Sequence, residues 1–162
     1  MSNKALIAIL LSSSVLSVSA ADTVPGTHAE KNGFRSCQKT VDDIAKFVVK
    51  DKKHSSMSTW NKRATDTRIF NSQVAIKYSD GNSIAILNVA PTKSGKCDSS
   101  YTTVTTFDKS CAALRETDLN TWKFAGELSG LVTLENESGA VSIILLPADT
   151  GCALIKTETV YE

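Results

Sequence analysis

The chain is poor in the residues that most chemistry needs. It has two histidines, three prolines and few aromatic side chains, and neither charge dominates: 18 Lys and Arg stand against 17 Asp and Glu. A balanced charge points to neither a nucleic-acid polyanion nor an anionic membrane as partner. No CxxC pair occurs, and His28 and His54 lie far from every cysteine in sequence, which argues against a zinc site. GxSxG and HExxH are both missing. Ser94-Gly95-Lys96 is not a phosphate loop, and Ser79-Asp80-Gly81-Asn82 lacks the spacing and closing Glu of a calcium loop. Beyond the first twenty residues no apolar run is long enough to span a bilayer, so no membrane anchor is expected. No metal, no cofactor and no catalytic residue is predicted.

What is present begins with residues 1–20. Lys4 supplies a positive start, Ala5 to Leu11 is an unbroken apolar run, and Val18-Ser19-Ala20 closes it with small residues. This pattern predicts a signal peptide cleaved after Ala20, and so an exported protein, periplasmic by preference or extracellular. Residues 21–35, with Pro25 and Gly26 among polar neighbours, are expected to form a mobile N-terminal arm. Residues 36–162 are expected to form one domain.

Within that domain Cys37, Val41, Ile44, Ala45 and Val48 recur on one helical face, predicting a long helix that ends near Asp51. Residues 52–66 read as a polar loop around Trp60. Alternating stretches then predict strands from Ile69, Ser83, Tyr101, Thr121, Gly130, Val141 and Cys152, with a short helix through Cys111 to Glu116. Ser83–Ala90 and Val141–Leu146 carry apolar residues on both faces, so each needs cover on both sides. The predicted fold is α+β. An antiparallel sheet of about six to seven strands, either strongly curved on itself or meeting a partner with its free face, packs on one long N-terminal helix, with a second short helix and two disulfides. No internal repeat is visible.

Four cysteines in an exported chain predict two disulfides. A straight strand between Cys97 and Cys111 would hold them some 26 Å apart, against about 7 Å between the Cα atoms of a bridged pair. Two connectivities survive. Cys37–Cys111 with Cys97–Cys152 is preferred, because it joins two helix starts and two strand openings. The other is Cys37–Cys97 with Cys111–Cys152.

Chemistry is thus missing while a stapled scaffold is present. The expectation is a non-enzymatic binding protein that engages another protein, as an inhibitor or an immunity protein would. Its contact surface is expected on two loops, through Trp60, Lys62 and Arg63 and through Lys93 and Lys96. For Trp60 the commoner role is to pin its loop to the core. A carrier of a small apolar ligand, in a pocket between helix and sheet lined by Ile84, Ile86, Ile143, Leu145 and the helix stripe, is the first alternative. A hydrolase with an unrecognised site, for instance at His54, is the second. Asn136-Glu137-Ser138 matches a glycosylation acceptor, which matters only in a eukaryotic secretory route.

Overall fold

The computed structural model describes residues 23–79, 81–149 and 151–162; the expected signal peptide lies outside the described residues. Two helices open the described residues, α1 (Val24–Lys31) and α2 (Gln38–Val49). A meander follows: β1 (Lys53–Thr59), β2 (Phe70–Lys77), β3 (Asn82–Pro91) and β4 (Cys97–Phe107). Helix α3 (Cys111–Thr117) leads into a second meander of β5 (Lys123–Leu128), β6 (Leu131–Glu135), β7 (Val141–Ala148) and β8 (Gly151–Val160). Every pairing is antiparallel, and β4 joins β8, giving one sheet in the order β1-β2-β3-β4-β8-β7-β6-β5.

The α+β class and the antiparallel sheet are as expected, but the count is not. There are eight strands rather than six to seven, and two helices stand where one long N-terminal helix was predicted. The extra strand is β1, inside the stretch read as a loop. The extra helix is α1, inside the stretch read as a mobile arm. Thr23 caps α1, its Oγ1 accepting from the Gly26 N–H at 3.2 Å. Pro25 stands in the first turn, where a missing N–H leaves no bond unmade. A Cβ on Gly26 would collide with the Asp42 carboxylate where α1 approaches α2, so any larger residue there would displace the Asp42 side chain. Ala29 and, just beyond the helix, Phe34 are fully buried.

The topology contains a repeat. Each half of the sheet is four strands directly preceded by a helix, α2 in the first half and α3 in the second, with α1 as an addition to the first, and the halves meet at β4 and β8. Thr102 and Thr157 are register partners there, with their hydroxyls 2.9 Å apart. Cys97 and Cys152 each stand five residues before those threonines. Each half carries one disulfide from the start of its helix to the start of its fourth strand: Cys37–Cys97, with Cα atoms 5.9 Å apart, and Cys111–Cys152, at 4.9 Å. The preferred pairing is therefore corrected, and the second surviving scheme is the one formed. Because β4 and β8 run antiparallel, Cys152 lies opposite Phe107, about 33 Å of strand away from Cys97. The same strand length keeps Cys97 from Cys111, as anticipated. Disulfides of this kind belong to an oxidising compartment, and no described helix is long and apolar enough to cross a membrane.

All three helices lie on the same face of the sheet. Val48 and Val49 of α2 pack on Val74, Ile76, Leu87 and Tyr101. Phe34 and Val41 pack on Phe70, Val89 and the Cys37–Cys97 bridge. Leu114 of α3 packs with Leu119 on Leu134, Ile143, Leu145 and Cys152. Cross-strand register places these strand residues on one side.

Candidate functional site

The other face carries no helix among the described residues. One row of register partners crosses it through all eight strands: Ser55, Ala75, Ile84, Val104, Ile155, Ile144, Thr133 and Gly126. Five consecutive members, Ala75 to Ile144, are apolar. Flanking rows add Met57, Ile86, Leu146 and Leu128. Ile84 is 44% exposed, Leu146 40%, Leu128 57% and Met57 68%. These side chains explain why β3 and β7 read as apolar on both faces: one set fills the core, and the other stands uncovered.

Charge is confined to the perimeter of this face. Its strand positions carry Lys53 and Lys77 near one corner, Asp98 at an opposite end, and Lys123 beside Glu135 at the far edge. Between them the positions not occupied by apolar residues hold Ser, Thr, Asn and Gln, as in Gln73, Asn88, Ser100, Thr102 and Thr157. An apolar, charge-depleted centre inside a polar rim is the composition of a protein interface rather than of a solvated sheet. Two hollows open on it along β1 and β2. One of ≈ 310 Å³ lies between Met57, Gln73 and Ile84, and one of ≈ 390 Å³ between Lys53, Lys77 and Ile84.

The edges of the sheet are guarded. β5 carries a bulge between Phe124 and Gly126, which twists that edge away from pairing. β1 lies against α1 on its helix side.

The loop residues expected to make contacts come together at one end of the sheet. The β1–β2 loop carries Trp60, Lys62 and Arg63, and the β3–β4 turn carries Lys93 and Lys96; Phe70 and Val89, where these connections meet the sheet, are register partners. Trp60 is partly buried against the Phe34–Phe70 cluster and pins its loop to the core. The four cations are solvated, with no ion pair among the described residues.

Both histidines meet in the seam between α1 and β1. His54 Nδ1 bonds the Lys52 carbonyl at 2.9 Å, while its Nε2 accepts from the Val24 N–H at 3.1 Å. His54 is thus the neutral Nδ1–H tautomer, used to satisfy a free amide at the start of α1. His28 Nδ1 lies 2.9 Å from Ser58 Oγ, which itself donates to Ser72 Oγ at 3.0 Å. In that direction the imidazole gives a proton to Ser58 rather than taking one, and no carboxylate among the described residues orients either ring. The cluster fastens α1 to the edge strand.

The residues named for a carrier pocket do not line one cavity: Ile84 and Ile86 stand on the uncovered face, while Ile143 and Leu145 lie beneath α3. Between helix α2 and the central strands lies a groove of ≈ 330 Å³, lined by Ile44 of the helix stripe with Phe47, Tyr101, Glu158 and Val160. Burial, with the Glu158 carboxylate beside it, pushes the Tyr101 phenol far above its usual range. No cluster of three or more potential metal ligands occurs among the described residues.

Comparison with family models, curated proteins and solved structures gives no match. The site therefore rests on this chain's own chemistry. Sequence reasoning expected that β3 and β7 need cover on both faces, with a partner on the free face as one of two ways to supply it. It missed the row, because register across eight strands is set by turns and pairing and not by any one segment.

Proposed function

We propose that this is an exported, non-catalytic binding protein that engages another protein through the uncovered face of its sheet. One observation carries the reading: five apolar register partners, Ala75, Ile84, Val104, Ile155 and Ile144, cross a face from which charge is excluded except at the rim. A rigid, twice-stapled sheet loses little conformational entropy on docking, which suits an inhibitor-like or immunity-like role. Its seat is the periplasm or the outside of the cell.

The test uses the mature chain, residues 21–162, as bait in an extract of exported proteins from the native host. The expected result is one stoichiometric protein, lost with Ile84→Asp or Ile144→Asp and retained with Phe47→Ser on the opposite face. Retention by both Asp variants overturns the reading. A second reading is favoured by the groove beneath Phe47, which is of a size to take a small apolar ligand. Native mass spectrometry of the purified protein decides it: a retained small molecule, lost with Val160→Lys, is its signature.

A further inference from the structure

Lys53 and Lys77 are register partners on the uncovered face, directly across from one another at the outer edge of the sheet. Like charges so placed repel. Neither has an ion pair among the described residues. Between them and the apolar row lies the ≈ 390 Å³ hollow, walled by Lys53, Lys77, Ser55 and Asn82 over Ala75 and Ile84. Two lysines, a serine and an asparagine beside an apolar floor offer the chemistry that suits a carboxylate on a short aliphatic stem. The hollow is continuous with the apolar row, since Ala75 and Ile84 belong to both.

Resting on the docking reading above, we propose that this hollow receives an Asp or Glu side chain of the partner protein, so that the partner presents an acidic flank beside an apolar patch. The charge of the whole first half agrees. From Thr23 to Phe107 there are thirteen Lys and Arg against seven Asp and Glu, whereas from Asp108 to Glu162 there are four against nine. A molecule that is nearly neutral overall therefore presents a basic half and an acidic half on either side of the β4–β8 seam. Such a field orients an approaching acidic surface toward β1–β3 and away from β5–β7.

Site-specific photocrosslinking tests this. A benzophenone amino acid replaces Ile84 or, in a second variant, Phe47, in the mature chain. Each is irradiated in the exported-protein extract at low and at high salt. The proposal expects a crosslinked product from position 84 whose yield falls about tenfold with Lys53→Glu together with Lys77→Glu, and falls with salt. Lys53→Arg with Lys77→Arg should retain it. A position-84 product insensitive to the charge reversal and to salt overturns the acidic contact while leaving the docking face intact. A product from position 47 only, or from neither position, overturns the docking reading and this inference with it. A product of twice the chain's mass identifies a second copy as the occupant and also overturns it. The circular-dichroism melt of each variant, unchanged from the parent, separates lost contact from lost fold.

Discussion

Side chains one residue apart on a strand have opposite duties here, and substitution should read that out. Phe70 is 1% exposed and stacks on Phe34 with ring centroids 5.3 Å apart. Phe70→Ala removes a whole ring from a closed cluster and should cost about 3–5 kcal/mol in urea unfolding. Ile84 stands on the free face of the neighbouring strand β3, and Ile84→Ala should cost under about 1 kcal/mol, because none of the described residues packs over it. Equal costs would mean that the face is covered in the free protein. Tyr101 offers a second reading at this scale. Its phenol holds its proton in the folded state to a higher pH than in the unfolded chain. The sign follows: the contribution is fully present below the unfolded value of about 10 and is lost as pH rises beyond it, because unfolding then releases the proton. Absorbance at 295 nm should show a tyrosine that ionises only as the protein unfolds in alkali, and Tyr101→Phe should abolish that step.

At the level of elements, the segments that the sequence pattern hid are those held by polar contacts. β1 is Lys-His-Ser-Ser-Met-Ser-Thr, with no apolar alternation; its alternation is of exposure alone, because it lies at the edge and only its inner side meets α1. A period of two cannot be read where both faces are serine. α1 was hidden by Pro25-Gly26, which breaks a helix in its interior but not in its first turn. The long amphipathic helix and the two-sided strands β3 and β7 were legible because burial wrote their hydrophobic periods, and the free face was foreshadowed for the same reason. The histidine seam makes a prediction about α1. His54→Ala leaves the Val24 amide without its acceptor and should weaken α1 by about 1 kcal/mol, as loss of a helix cap does. Amide exchange should quicken through residues 24–31 while β3 and β4 keep their protection. Quickening spread evenly over the sheet would show instead that α1 has no local stability of its own.

For the whole molecule, the question is whether two helix-and-meander halves behave as one body. Each half has its own disulfide, its own helix and its own hydrophobic cluster, which would suit two independent units. Against that, β4 and β8 are paired from Ser99–Val160 to Phe107–Cys152, nine consecutive register partners at the centre of the sheet. Separating the halves would strip a full ladder of backbone hydrogen bonds and bare the edges of both central strands. The sheet should therefore unfold in one transition. The bridges close loops with sequence separations of 60 and 41, so each should contribute about 4 kcal/mol by restricting the unfolded chain. Cys37→Ala with Cys97→Ala should thus move a single calorimetric transition to lower temperature, with the fluorescence of Trp60 in the first half and Trp122 in the second lost together. If the Trp60 signal goes first and a second transition remains for Trp122, the β4–β8 seam is a joint rather than a continuous sheet. The docking face would then be two surfaces able to shift against each other, and the apolar row through Val104 and Ile155 would be its hinge line rather than its centre.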